Sequence, residues 1–239
     1  MSGPVRYILG RAAGAAGSAL LLAALAAGMG ASPRALAVDF VLMDYQGRRV
    51  MLIRDEARSE KYPRGGMILR GDAQRFAQEL ARAGKIEEIL FDSGGGSEQD
   101  GLELGRLIRK AGLATRIPSG AMCASACADA FLGGVVRRVE KGGRYGIHMP
   151  TIAGNAQTVQ KIVAIMEKAR SEGKIESAQR LIYEIEQLSA QASARWALYV
   201  MAMGASVRIV DSGAKFLASE MNWLTREQLL DLNVVNVDN

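Results

Sequence analysis

The segment IEEILFDSGGGS, residues 86–97, is the most informative part of the sequence for the fold, because a strand pattern leads through Asp92 and Ser93 into three consecutive glycines. Residues 86–91 predict a buried strand, and leucines at helical spacing after Ser97 predict a helix. A strand followed by a helix is the repeating unit of a sheet whose strands run parallel. Glycines at the bend allow the backbone to take positive φ angles and to approach a ligand closely.

Strand and helix patterns alternate on both sides of this segment. Apolar patterning predicts further strands over residues 38–44, 49–53, 67–70, 113–117, 143–148 and 233–237. Helical spacing predicts helices over residues 71–83 with Asp72 as cap, 125–132, 206–216 and 156–203, the last broken near Gly173. The sequence therefore predicts an α/β fold with a mostly parallel sheet, crossover helices and a long C-terminal helical arm.

The composition fits one globular domain. The chain has 239 residues, of which 49% are hydrophobic and 23% charged. This balance is typical of a globular protein that buries a substantial core. We assign residues 38–239 to the single domain and treat residues 1–37 separately.

The first 37 residues have the pattern of an export signal. Two arginines precede the apolar run 12–31, and Ala35-Leu36-Ala37 supplies small residues after it. This order predicts a secretory signal peptide cleaved before Val38, and hence a periplasmic or secreted protein. The alternative is an uncleaved anchor in the inner membrane through residues 12–31, because about 20 apolar residues can span a bilayer.

Much of the positive charge lies in that export segment. It holds three arginines and no acidic residue, so the net charge falls from +5 for the whole chain to +2 without it. A charge this small gives no electrostatic basis for binding nucleic acid.

One serine and one histidine stand where a site in this fold would form. Ser125 opens a predicted helix within GAMCASAC, residues 120–127, and His148, the only histidine, ends a predicted strand. At a helix start, the next amide and the helix dipole favour negative charge on a reacting oxygen. The alternatives are a helix N-cap for Ser125 and a structural role for His148.

Two cysteines, Cys123 and Cys127, flank that serine. Four residues apart on a helix, they lie near the upper limit of Cα separation for a disulfide, so a bridge would be strained. An exported protein can keep such a bridge. The alternative is a pair of small buried hydrophobic residues. With one distant histidine, they supply too few ligands for a metal site.

The glycine loop, residues 94–96, has no phosphate-binding pattern around it. GxxxxGK[ST] is absent, and so is GxGxxG with a following acidic residue. Two roles are left for the loop, an oxyanion-binding amide or a simple tight turn.

Taken together, these segments resemble the proteolytic subunit of the Clp protease and its relatives in the Clp/crotonase superfamily. The resemblance covers residues 66–150 and, more loosely, the chain to residue 237. It rests on FDSGGGS at 91–97, CASA at 123–126 and GIHMP at 146–150. It implies a Clp/crotonase-like fold of repeated β-β-α units. With the export segment, the chain looks similar to exported Clp-like proteins of bacteria.

The resemblance implies a role for each matching residue. Ser125 would be the nucleophile and His148 its general base, and the amides of Gly96 and Ala126 would form the oxyanion hole. It implies no cofactor and no metal.

The third catalytic group departs from the family pattern. Met221 stands at the position of the family's acid. Asn222, Glu220 and Asp211 are the neighbouring candidates for orienting the histidine. A backbone carbonyl could take that role instead, or a two-residue dyad could suffice.

These features predict an exported serine peptidase that cleaves peptides or unfolded segments. The missing acid supports an alternative, a Clp-like scaffold that binds peptides or partner proteins without cleaving them. A helix comparable to the arm over residues 156–203 mediates ring contacts in the Clp subunit, so the resemblance also implies a homo-oligomer.

Overall fold

Nine strands form two sheets in the part of the chain that the computed structural model describes, residues 36–55 and 66–237. The strands are β1 (Leu36–Tyr45), β2 (Arg48–Asp55), β3 (Gly66–Met67), β4 (Glu88–Asp92), β5 (Ala114–Ile117), β6 (Met122–Ala124), β7 (Arg137–Val139), β8 (Arg144–Ile147) and β9 (Asn222–Trp223). The six-stranded sheet has the order β3-β1-β2-β4-β5-β7, and the three-stranded sheet has the order β6-β8-β9.

Seven helices lie within the same described ranges. They are α1 (Asp72–Ala83), α2 (Glu98–Lys110), α3 (Ala126–Leu132), α4 (Ala156–Ser171), α5 (Ile175–Ala202), α6 (Arg208–Ala214) and α7 (Arg226–Asp231). The predicted arm corresponds to α4 and α5, which are separated at Gly173, where φ is 66°. Within residues 36–55 and 66–237, no helix is both long enough and apolar enough to cross a membrane.

Parallel pairing dominates the six-stranded sheet. Strands β2, β4, β5 and β7 run parallel along the larger sheet, and β6 pairs in parallel with β8. The β1–β2 hairpin and the β8–β9 pair are antiparallel. The predicted mixed α/β architecture with a mostly parallel sheet is therefore confirmed.

Almost all of the predicted export segment falls outside the described residues, which begin at residue 36. Strand β1 starts at Leu36, two residues before the predicted cleavage point at Val38. Val38 itself is buried and pairs with Asp55 of β2.

Two predicted strands are corrected by the structure. The strand over residues 67–70 shrinks to β3, because Ile68 forms only an isolated bridge to Gly96. The strand over residues 233–237 is absent, because Asn233 has a φ of 51° and turns the backbone out of the extended conformation. Val234 and Val235 of this segment are buried in the core without sheet pairing.

The predicted cap of the first helix is also corrected. Gly71, with a φ of 97°, occupies the N-cap of α1, and Asp72 is the first helical residue. The Asp72 carboxylate accepts a hydrogen bond from the Leu69 amide at 2.8 Å. It thus stabilises the turn before the helix rather than an amide within it.

Arg137 ties the C-terminal segment to the end of α5. Arg137 is 2% exposed. It donates to four backbone carbonyls, those of Gly134, Met203, Asn233 and Val234. Arg109 donates to the same Met203 carbonyl at 2.9 Å. Burial lowers the pKa of Arg137 to about 10, so this residue keeps its charge at neutral pH.

Replacement of Arg137 by methionine tests this anchor. The variant removes four hydrogen bonds and leaves the Asn233 and Val234 carbonyls without their side-chain donor, so we expect the free energy of unfolding to fall by roughly 3 kcal/mol. Urea unfolding followed by circular dichroism measures the loss. Arg82→Met is the control, because Arg82 forms only an exposed pair with Glu79, worth less than about 1 kcal/mol. Equal losses in the two variants would contradict the anchoring role.

Candidate active site

Ser125 lies at a strained bend between β6 and α3. Its φ and ψ are 55° and −128°, a conformation that residues with a side chain rarely adopt. Such a backbone costs on the order of 1–3 kcal/mol and persists only where its surroundings hold it. Ser125 occupies the N-cap position of α3, as the alternative from the sequence proposed, but its side chain makes no capping hydrogen bond.

Neighbouring backbone holds this bend in place. The Ser125 amide donates to the Gly146 carbonyl of β8 at 3.0 Å, and the Ala124 amide donates to the Ser93 carbonyl at 3.1 Å. Gly95, with a φ of 98°, packs directly against the bend. A Cβ on Gly95 would lie 2.8 Å from the Ser125 Cβ, so only glycine fits there.

A disulfide crosses the same bend. It joins Cys123 of β6 to Cys127 of α3, with a Cα separation of 5.2 Å. Both cysteines are fully buried. Because Cys123 belongs to a strand and Cys127 to a helix, the bridge links the two elements that present Ser125. The structure thus has the bridge, one of the two states that the sequence left open.

His148 directly follows β8, the parallel neighbour of β6. Its Nε2 lies 2.7 Å from the Ser125 Oγ, and its Nδ1 lies 2.8 Å from the Met149 carbonyl oxygen. A carbonyl only accepts hydrogen bonds, so Nδ1 must carry the proton. In the neutral ring, Nε2 is then the acceptor and Ser125 donates to it. This is the tautomer that a general base requires.

The three candidates for the orienting group have other partners. Asn222 donates to the Ser212 carbonyl at 3.0 Å. Glu220 accepts from the Leu217 amide at 3.3 Å, and Asp211 pairs with Lys215 at 2.8 Å. Their recorded contacts therefore do not include His148. The Met149 carbonyl occupies the orienting position instead.

Met221, at the position of the family's acid, packs against β8. A Cβ on Gly146 would come within 2.9 Å of the Met221 sulfur, so the thioether lies directly on that strand. A thioether is a weak acceptor and has no charge, so it cannot replace a carboxylate.

The residues predicted to form the oxyanion hole, Gly96 and Ala126, line the same cavity as Ser125. In the glycine loop, the Gly94 amide donates to the Asp55 carboxylate and the Gly95 amide to the Ser93 hydroxyl. Among the described residues, the amides of Gly96 and Ala126 have no acceptor. They are therefore available to an oxygen of a ligand.

The cavity has a volume of about 140 Å³. Its lining comprises Gly96, Glu98, Ser125, Ala126, Asp129, Ile147, His148, Pro150, Thr151 and Trp196. The sequence reasoning missed Glu98, Asp129 and Trp196. Asp129 lies one helical turn after Ser125, a spacing that could have indicated it. Trp196 comes from α5, and no local signal in the sequence points to it.

Two acidic side chains give the cavity its electrostatic character. Asp129 Oδ1 accepts from the Trp196 indole N–H at 2.7 Å, and burial raises the pKa of Asp129 to about 7. Burial also raises the pKa of Glu98. One Glu98 carboxylate oxygen is buried with no hydrogen-bond partner. Within the described ranges, no group of three or more histidine, cysteine, aspartate or glutamate residues could hold a metal ion.

Asp129→Asn tests the buried carboxyl through the pH dependence of stability. The folded state keeps the Asp129 proton up to about pH 7, whereas an unfolded chain releases it near 3.8, so this group stabilises the fold less as pH rises between these values. The asparagine still accepts from Trp196 and cannot ionise. We therefore expect the free energy of unfolding of the variant, relative to that of the wild type, to rise by roughly 3 kcal/mol from pH 4 to pH 8.

Urea unfolding at both pH values measures this difference. The exposed Asp211→Asn variant controls for the loss of one carboxylate. If the free energies of unfolding of the wild type and of Asp129→Asn differ by the same amount at both pH values, the raised pKa of Asp129 is contradicted.

Removal of the disulfide tests its hold on the bend. The Cys123→Ala, Cys127→Ala double variant frees a five-residue loop, and we expect a loss of about 2 kcal/mol in the free energy of unfolding. Equilibrium urea unfolding with and without a thiol reductant measures it. The reductant should destabilise the wild type by a similar amount and leave the double variant unchanged. A reductant effect on both proteins alike would argue against the bridge as its cause.

Comparison with known proteins gives only a distant similarity. No family model matches the chain, and no curated protein matches it. Among solved structures, the chain is similar to a ClpP1 mutant from Listeria monocytogenes, with 17% sequence identity and a TM-score of 0.42. The match covers 79% of this chain and 91% of that chain. The assignment of the site therefore rests on the geometry of Ser125 and His148.

Proposed function

We propose that this chain is a serine peptidase that cleaves peptides or unfolded segments, with Ser125 as nucleophile and His148 as general base. The observation that supports it most directly is the 2.7 Å separation between the Ser125 Oγ and the His148 Nε2. The two atoms meet in a cavity that the Gly96 and Ala126 backbones also line. Nucleophile, base and oxyanion donors are thus adjacent, as acyl transfer requires.

The proposed reaction has two stages. Ser125 transfers its hydroxyl proton to Nε2 while Oγ attacks the scissile carbonyl, and the resulting oxyanion accepts from the Gly96 and Ala126 amides. His148 then returns the proton to the leaving amine, and the carbon–nitrogen bond breaks. In the second stage, the same imidazole activates a water molecule that hydrolyses the acyl-enzyme.

The Met149 carbonyl replaces part of what an acid would do. Its contact with Nδ1 fixes the tautomer and the orientation of the His148 ring. A neutral carbonyl offers less stabilisation to the imidazolium than a carboxylate does, because it carries only a partial charge. We therefore propose a dyad that acylates more slowly than a full triad.

The proposed setting is outside the bacterial cytoplasm. It rests on the sequence pattern of residues 1–37. The disulfide between Cys123 and Cys127 suits the same setting, because such bonds persist in oxidising compartments. A homo-oligomer is proposed as well. Large apolar side chains exposed on α5, among them Tyr183, Leu198 and Met201, support self-association.

A second candidate function is a peptide-binding scaffold without catalysis. The neutral carbonyl at Nδ1 favours it, because an imidazole without an acidic partner is a less effective base in the transition state. The cavity and its free amides would then bind a peptide carbonyl without cleaving the chain.

A fluorophosphonate probe separates the two candidates. The peptidase proposal predicts covalent labelling of the wild type, complete loss of labelling in Ser125→Ala, and a loss of at least about 100-fold in rate in His148→Ala. Ser119→Ala, which alters an exposed serine outside the cavity, is the matched control and should label like wild type. Mass spectrometry of the labelled peptide identifies the modified residue.

Two outcomes would overturn the peptidase proposal. Labelling that persists in Ser125→Ala would place the reactive group elsewhere. A folded wild type that resists the probe but binds peptides would identify the scaffold.

A further inference from the structure

We infer that the cavity beside Ser125 accepts a lysine or arginine side chain of the substrate, and that Glu98 determines this preference. The inference rests on the proposed peptidase function and adds the substrate class. The side chain in question belongs to the residue whose carbonyl Ser125 attacks, because the amides that would hold the carbonyl oxygen line the same cavity.

The acidic side chains at the cavity wall are those of Glu98 and Asp129. His148 is the other titratable residue in its lining, and neither lysine nor arginine lines it. Arg195 is near enough to lower the pKa of Glu98, but this arginine is exposed and makes no recorded salt bridge with that carboxylate. The described lining therefore contains two acidic side chains and no lysine or arginine to pair with them.

These carboxylates have unused capacity to accept hydrogen bonds. Glu98 accepts none from the described residues, and one of its oxygens is buried. Asp129 uses only Oδ1, which accepts from Trp196. A buried carboxylate without a partner is unfavourable, and an ammonium or guanidinium group offers it the strongest hydrogen bonds.

The size and the walls of the cavity fit a single long side chain. Its volume of about 140 Å³ is well below the roughly 300–1,000 Å³ typical of sites that enclose a whole ligand. Ile147, Pro150 and Trp196 form an apolar part of the wall. Lysine and arginine combine an apolar stem with a charged end, so the stem can contact this part while the end reaches the carboxylates.

A cationic side chain would also favour the reaction itself. The oxyanion develops in the same cavity as Glu98, and a negative charge on that carboxylate disfavours it in a poorly solvated site. A bound ammonium or guanidinium offsets that repulsion. Substrates with a neutral side chain lack the offset, so their disadvantage should lie in the acylation rate as well as in binding.

Peptidyl phosphonate probes that differ in one side chain test this inference. One probe carries arginine, and the other carries citrulline, which has nearly the same shape and no charge. We expect the arginine probe to label Ser125 of the wild type at least about tenfold faster, equivalent to about 1.4 kcal/mol. In Glu98→Gln this preference should fall below about threefold, through slower labelling by the arginine probe alone.

Glu103→Gln is the matched control, because Glu103 lies on the same helix and is exposed. It should keep the wild-type preference. Equal labelling of the wild type by both probes, or an unchanged preference in Glu98→Gln, would overturn the inference. The small fluorophosphonate probe, which carries no such side chain, distinguishes failure of the peptidase proposal from failure of the inferred substrate class. If it fails to label the wild type, the peptidase proposal fails; if it labels while the preference is absent, only the substrate class fails.

Discussion

The hydrogen bond from the Ser125 amide to the Gly146 carbonyl is the contact on which the site depends. It continues the parallel register of β6 and β8, in which Ala124 pairs with Gly146. Ser125 then follows one strand and His148 the other, so their side chains meet at one edge of the small sheet. A slip of one residue in this register would turn the imidazole to the opposite face and separate the two groups.

The group that orients the imidazole of His148 is a backbone carbonyl. Where a carboxylate would be expected, the residue next to the histidine in the chain supplies its own carbonyl. This contact needs no distant element, because Met149 is already adjacent. It fixes the proton on Nδ1 but supplies only a dipole to a charged ring. The acidic side chains of the site, Glu98 and Asp129, lie instead in the cavity lining.

Local patterns account for much of the fold and for the positions of Ser125 and His148. The glycine loop and His148 each end a predicted strand, and Ser125 opens a predicted helix, whereas the roles expected of them came from the resemblance to the Clp family. The interaction of Trp196 with Asp129 spans 67 positions of the chain, and such a contact leaves no periodicity in the sequence. The apolar residues near Val234 predicted a strand. In the structure they are buried, but Arg137 rather than a neighbouring strand donates to the Val234 carbonyl. An apolar pattern indicates burial and does not by itself show sheet pairing.

The close approach of Gly95 to Ser125 bears on how this site can be lost in evolution. Any side chain at position 95 would collide with the Ser125 Cβ and with the Ala126 amide. A single replacement there would displace the bend while leaving the serine and the histidine in the gene. A descendant of this chain could therefore retain Ser125 and His148 and still lack the geometry that brings them together.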